Sequence, residues 1–195
     1  HGAVVLPEGN VRDAFSFNAA IGMFILSIAA FMPLSGLPEK KRARLRWGFI
    51  WVTLIGYGIE TVQHFRGINP RYSAAGTPVD QIFGMFFGLT SLLLIYITIR
   101  FAVAFFSKKK ANSRPLLTLG IRYAFISTMI AFAAGVMMIL LQDRFLGASG
   151  NFIVLHGLGF HALQTLPLLG WFLERARAGK PLIHIGGIPW TLAVL

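Results

Sequence analysis

The chain has 195 residues, of which 55% are hydrophobic and only 13% are charged. Its mean hydropathy is +0.67. A water-soluble domain of this length needs more polar surface, so this composition excludes one. The sequence contains no cysteine, which excludes disulfides, thiol catalysis, cysteine-ligated zinc and iron–sulfur clusters within it.

Six apolar runs separated by charged clusters predict membrane-spanning helices. The runs cover approximately residues 14–36, 47–64, 79–105, 116–141, 152–173 and 182–195. Four have about 20 residues or more, which is enough to cross a ~30 Å hydrocarbon core at 1.5 Å per residue. We therefore predict an all-α polytopic transmembrane bundle of about six spans, forming a single domain over residues 1–195. Because the chain begins at His1 and ends inside an apolar run, we expect it to be a piece of a longer protein.

The basic residues alternate between the two sides of the predicted spans. Fourteen of the 18 lysines and arginines lie in or beside the connections between runs one and two, three and four, and five and six. By the positive-inside rule these loops are cytoplasmic, and the N-terminal side is outside. The sequence therefore predicts a bacterial plasma (inner) membrane protein in contact with the lipid bilayer. The net charge of +11 is explained by topology, and we predict no nucleic-acid partner.

Acidic residues show the opposite bias. Five of the seven fall toward the outside: Glu8, Asp13, Glu60, Asp80 and Asp143. Acidic side chains contribute little to topology. Their concentration on one side therefore indicates a polar site.

Polar side chains within the second and fifth runs are the candidates for that site, because such groups are costly in hydrocarbon. Tyr57, Glu60, Gln63 and His64 are spaced to share one face of a helix. The fifth run carries His156, His161 and Gln164, and Asp80 begins the third run. The helical rise places these residues in the outer half of the membrane. The alternative is that residues such as Gln63 only form hydrogen bonds between helices.

We expect Glu60 and His161 to face a common pocket, since both would be costly against lipid. We also expect Pro167 to bend the fifth helix, because it removes a backbone donor. His156 and His161 lie about 140° apart around a helix, so they cannot bind one small metal ion together. A bis-histidine haem would instead pair one of them with His64. The pattern assigns no catalytic residue and no metal ligand.

Two segments resemble a group of uncharacterised bacterial polytopic integral membrane proteins. The first is His156-x-x-x-x-His161-Ala-Leu-Gln164-x-Leu-Pro167-Leu, and the second comprises residues 61–67 with Thr77-Pro78-x-Asp80. That group has a serine–histidine step where this chain has residues 70–72. The resemblance implies a polytopic membrane fold and carries no established activity.

Three functions are compatible with these patterns. The first is a redox role for a bound cofactor, haem b or a metal, at His64, His156, His161 and Gln164. The second is a proton-coupled transporter with Glu60, His161 and Asp80 as a relay. The third is a non-catalytic subunit that binds other membrane subunits. The chain has no P-loop, dinucleotide fingerprint or nucleophile elbow, and whether it is an enzyme stays open.

Overall fold

The computed structural model describes residues 3–71, 73–107, 114–141, 145–146, 150–177 and 180–193. Most of these residues are helical, and the predicted all-α helix-bundle class is confirmed. In chain order the elements are β1 (Val4–Val5), β2 (Gly9–Asn10), α1 (Val11–Phe31), a 3₁₀ turn (Met32–Ser35), α2 (Glu39–Phe65), α3 (Pro78–Phe106), α4 (Pro115–Leu141), β3 (Phe145–Leu146), β4 (Gly150–Asn151), α5 (Phe152–Arg175) and α6 (Lys180–Ala193). Each strand pair is a two-residue antiparallel ladder, β1 with β2 and β3 with β4.

Four of the described helical segments are long and apolar enough to cross a membrane. They are Val11–Ser35, Pro78–Phe106, Pro115–Leu141 and Phe152–Arg175. The chain is therefore a membrane protein, and the expected number of six spans is corrected to four by length and composition. The helix α6 has only 14 residues, which cover about 21 Å.

The helix α2 is long enough, with 27 residues, but its composition is too polar. It begins with a basic segment and ends with Glu60, Gln63 and His64, all of which are buried. Near that end Val62 and Phe65 are exposed, while Phe49, Val52 and Ile59 earlier in the helix are buried. From Glu60 onward the helix is thus polar on its buried side and apolar on its exposed side, the reverse of a helix in a water-soluble protein.

The chain divides into two compact units. Unit one comprises His1–Ala29 and Leu37–Arg100, and unit two comprises Ala30–Gly36 and Phe101–Leu195. The prediction of a single domain over residues 1–195 is not tested by this division. Unit one contains the N-terminal hairpin and most of α1, α2 and α3. Unit two contains α4, α5 and α6.

Aromatic side chains pack the interior of unit one. Phe24 and Phe49 meet edge to face with ring centroids 6.2 Å apart, and Phe17 and Phe87 lie 5.5 Å apart. Such pairs stabilise a core beyond their buried area by about 0.5–1.5 kcal/mol each. They hold α1 against α2 and α3, and thereby position the polar end of α2.

In unit two, α4 and α5 approach each other closely through glycines. A Cβ atom built on Gly120 would lie 2.4 Å from the carbonyl oxygen of Leu166, and one on Gly170 would lie 2.5 Å from that of Leu116. Backbone meets backbone at both points, so no side chain fits there. The helix α5 continues without a break through Pro167, and the bend expected at that residue stays a prediction.

A carboxylate joins the N-terminal end of α4 to the C-terminal end of α5. Glu174 accepts hydrogen bonds from the backbone amides of Leu116 and Leu117 at 2.7 and 3.0 Å, and from Arg114 Nε at 3.2 Å. It therefore caps the N-terminus of α4 from another helix, where a negative charge is favourable. The helix α6 is joined to α4 by a 2.6 Å hydrogen bond between Tyr123 and His184.

Candidate functional site

The polar side chains at the end of α2 are buried inside unit one. Glu60 and Gln63 are 0% exposed and His64 is 1% exposed. Their spacing of three and four residues places them on one helical face, as the sequence predicts. They form two neighbouring clusters, one centred on Glu60 and one on Asp80.

The Glu60 carboxylate is at the centre of the first cluster. Its Oε1 atom forms an ion pair with Arg71 and lies 3.2 Å from His64 Nε2. Its Oε2 atom is buried and has no hydrogen-bond partner among the described residues. Arg71 comes from the loop after α2, and its guanidinium lies 5.4 Å and 5.9 Å from the ring centroids of Phe17 and Phe87. A cation is thus held between one carboxylate and two aromatic faces.

His64 is fixed at both ring nitrogens. Its Nδ1 accepts a hydrogen bond from the backbone amide of Asn10 at 3.0 Å. An accepting Nδ1 carries no proton, so this geometry assigns the ring proton to Nε2, which then donates to Glu60. A haem iron needs an imidazole nitrogen for itself. His64 could supply one only by breaking one of these two contacts, which argues against the bis-histidine haem interpretation.

The N-terminal hairpin, residues 4–10, lies directly on the end of α2. A Cβ atom on Gly9 would lie 2.3 Å from the carbonyl oxygen of His64. The Glu8 amide donates to the Gly67 carbonyl at 2.8 Å. The Glu8 carboxylate accepts from the Ser73 hydroxyl at 2.6 Å, and from the amides of residues 74 and 75 at 2.9 and 3.0 Å. Mainly because of the Ser73 bond, the pKa of Glu8 lies below its ordinary value.

In the second cluster, Asp80 has a structural role, because both of its carboxylate oxygens accept hydrogen bonds. Its Oδ1 accepts from Gln63 at 3.1 Å and from Arg66 at 2.6 Å. Its Oδ2 accepts from the Thr77 amide at 2.9 Å and from the Thr77 hydroxyl at 2.6 Å. Thr77, Pro78 and Asp80 thus form a capping box with proline at the first helical position. The Thr-Pro-x-Asp motif starts α3 and joins it to the end of α2.

A small cavity lies in unit one between α1, α2 and α3. It measures about 20 Å³, which is room for one water molecule. Phe17 and Phe87, the two rings under the Arg71 guanidinium, line it together with Gly56, one turn before Glu60. The hydroxyls of Thr53 and Ser91, which also line it, donate to carbonyls of their own helices.

The expected site residues on α5 belong to unit two. His161 is exposed, contrary to the expectation that it faces the interior with Glu60. The reason is the close contact with α4, which takes the stripe Gly159, Ala162, Leu163, Leu166, Pro167 and Gly170. Residue 161 lies about 200° from residue 163 around the helix. His156 lies at the edge of this contact, with Nδ1 2.7 Å from the Ala131 carbonyl, and Gln164 is half-buried.

Sequence reasoning missed the cations and the hairpin amide. The charge pattern places Arg66 and Arg71 among the four basic residues on the predicted outer side, and it indicates no role for them or for Asn10. A usable signal was present, because these arginines are exceptions to the positive-inside bias. An arginine on the predominantly uncharged side needs another reason to be there. Here that reason is the pair of buried carboxylates Asp80 and Glu60.

Within the described ranges, no group of three or more histidine, cysteine, aspartate or glutamate side chains could hold a metal ion. Comparisons with protein-family models, curated proteins and solved structures give no match for this chain. The argument for function therefore depends on the geometry around Glu60.

Proposed function

We propose that this chain is a proton-coupled carrier of the bacterial inner membrane in which Glu60 is the proton-binding group. One observation supports this most. A carboxylate that is 0% exposed uses one oxygen for both Arg71 and His64, while its other oxygen has no hydrogen-bond partner in the described part of the chain. An ionisable group of this kind in a membrane protein marks a functional site by default.

Two states of this site follow from electrostatics. When Glu60 is ionised it needs Arg71, because a buried unpaired charge costs several kcal/mol. When Glu60 binds a proton, the Coulomb attraction disappears and the guanidinium keeps only its aromatic contacts, worth about 2 kcal/mol when desolvated. Proton binding and release of Arg71 are then a single event. Since Arg71 belongs to the loop between α2 and α3, the proton controls how firmly that loop is held.

The carrier interpretation is favoured over the redox interpretation by the histidine geometry. Both ring nitrogens of His64 are engaged, and His161 is exposed. The orientation in this proposal places the N-terminal hairpin outside and the basic loops in the cytoplasm. It requires α2 to cross the membrane back beside α1, which the contact of its last turn with the hairpin supports. The absence of cysteine allows a direct check of this orientation, since cysteines introduced singly at Ala75 and Lys109 should be labelled from opposite sides.

The function is tested by infrared titration of the purified protein. A protonated carboxyl band that appears on acidification should be lost in Glu60→Gln and kept in Glu39→Gln. Glu39 is a suitable control because it is an exposed carboxylate on the same helix. In proteoliposomes, solute uptake driven by a pH gradient should require Glu60. Absence of any band assignable to Glu60, or uptake unaffected by Glu60→Gln, would overturn the proposal.

A further inference from the structure

We propose that the N-terminal hairpin is a lid over the Glu60 site and that His64 is its proton-sensitive latch. The hairpin opens when the imidazole binds a second proton. This inference rests on the proposed function, because it assigns regulation to the same site. It concerns a different residue and a different movement, so it can fail separately.

The latch is the hydrogen bond from the Asn10 amide to His64 Nδ1. In the neutral ring Nδ1 is an acceptor, but in the imidazolium both nitrogens are donors. Protonation would therefore place an N–H group on Nδ1, facing the N–H group of Asn10 at the 3.0 Å separation of the present bond. Two donors cannot share this position, and an unsatisfied buried donor costs about 1–3 kcal/mol. The hairpin is the partner that can move away, because it is only seven residues long.

The charged groups around the His64 ring determine which ring nitrogen is destabilised by protonation. On the Nε2 side the ring faces Glu60, which favours the imidazolium, and Glu60 is itself paired with Arg71. From the hairpin, Glu8 is directed to residues 73–75. From α3, Asp80 is engaged by Gln63, Arg66 and Thr77. From α1, the acidic residue nearest the hairpin in sequence is Asp13, in the first turn of that helix. Glu60 thus attracts the imidazolium at Nε2, while the Asn10 amide conflicts with it at Nδ1.

Asn10 couples the hydrogen bond at His64 to the start of α1. Its side-chain Oδ1 accepts from the Arg12 amide at 3.0 Å, which caps the first turn of α1. The same residue therefore closes the hairpin onto α2 and starts α1. Release of its amide from His64 would loosen both, and would expose the end of α2 at which Glu60 and His64 are buried. The lid would then admit protons to Glu60 at low external pH.

Hydrogen exchange of the full-length chain in detergent or nanodiscs tests the latch. Protection factors, which remove the intrinsic pH dependence of exchange, are measured for peptides that cover residues 3–12 between about pH 8 and 5, the range in which histidines titrate. We expect hairpin protection to fall by about tenfold across this range in the wild type. We expect His64→Phe, which has no acceptor, to be unprotected at both ends. Peptides from α4 and α5 serve as the folding control.

Two further variants keep the test decisive. Asn10→Ala removes the side-chain cap but keeps the backbone donor, so its pH response should remain. His64→Gln offers an acceptor oxygen that does not titrate, so its hairpin should exchange at the same protected rate throughout; it also decides the matter if His64→Phe does not fold. A wild-type hairpin insensitive to pH, or a pH response that persists in His64→Gln, would overturn the lid. A lid response without a titrating Glu60 would overturn the proposed function alone.

Discussion

The helices α2 and α5 carry similar polar residues, but α2 buries them and α5 leaves His161 exposed. At the end of α2 the buried residues are Glu60, Gln63 and His64, and Val62 and Phe65 are exposed. In α5 the buried stripe consists of glycine, alanine, leucine and proline, and His161 is exposed. The difference lies in the neighbours. Around α2, a hairpin and a loop supply an amide and two arginines, whereas α5 lies against the bare backbone of α4.

This comparison shows when a polar group in an apolar helix turns inward. Burial of a polar side chain is tolerable only where partners replace its water. The sequence after α2 provides such partners within a few residues, at Arg66 and Arg71. The α4–α5 contact is too close for any side chain at Gly120 and Gly170. A histidine on α5 is therefore excluded from the tightest part of the contact by geometry.

The largest effect should come from leaving one half of the Glu60 pair unpaired. Arg71→Met removes the guanidinium from a carboxylate that is 0% exposed, and we expect a loss of about 3–5 kcal/mol in the free energy of unfolding. The double variant Glu60→Leu/Arg71→Met removes both charges and should recover much of that loss. Reversible unfolding of the purified protein in mixed micelles measures both variants.

The control for this pair is Arg12→Met, which removes an exposed arginine and should change stability little. If Arg71→Met costs no more than Arg12→Met, the ion pair does not organise unit one, and α2 is no different from α5 in this respect.

The next effect concerns unit two. Gly120→Ala would place a Cβ atom 2.4 Å from the Leu166 carbonyl oxygen, and backbone atoms must move to admit it. We expect a loss of about 1–3 kcal/mol, measured by the same unfolding experiment. Gly157→Ala on α5 is the matched control, because a Cβ atom there meets nothing within 4 Å. It should stabilise the helix by up to about 1 kcal/mol; equal effects at the two glycines would refute the close contact.

The fold class and the polar face of α2 could be predicted from sequence because both depend on periodicity within one helix. Run length and hydropathy indicate helices, and offsets of three and four residues place Glu60, Gln63 and His64 together. The predicted span count was too high for two reasons: the buried polar groups of α2 lower its mean hydropathy, and α6 has only 14 residues. The partners Asn10 and Arg71 lie 54 and 11 residues away from His64 and Glu60. Helical periodicity contains no information about such separations.

His161 is exposed, unlike the expectation from sequence, for a related reason. Its cost in lipid and its neighbour Gln164 suggested an inward face. The face of α5 that packs is instead chosen by small residues that allow backbone contact, and glycine at 159 and 170 with Ala162 indicates that stripe. This stripe of small residues, rather than the pair His161 and Gln164, predicts the packed face of α5 and leaves His161 on the exposed face.

A smaller effect is expected at the Glu174 cap in unit two. Glu174→Ala leaves the amides of Leu116 and Leu117 without their acceptor, and we expect a loss of about 1 kcal/mol in the free energy of unfolding. Glu39→Ala is the control, because Glu39 is an exposed carboxylate in the first turn of α2 with only surface partners, and it should have little effect. Similar losses for the two variants would mean that the cap does not join α4 to α5.

The smallest effect separates the two anchors of the hairpin. The pKa of Glu8 in the folded protein lies below its ordinary value of 4.5, chiefly because the Ser73 hydroxyl donates to it. Its contribution is therefore present above the unfolded pKa and is lost as the pH falls through the folded one. A spin label on a cysteine at the exposed Val4 should report a mobility step at a pH below 4.5, distinct from any step that depends on His64. Glu8→Gln should abolish that acidic step and leave the other. A label at Leu182 in unit two should show no step there, and an acidic step unchanged in Glu8→Gln would assign the anchor to another group.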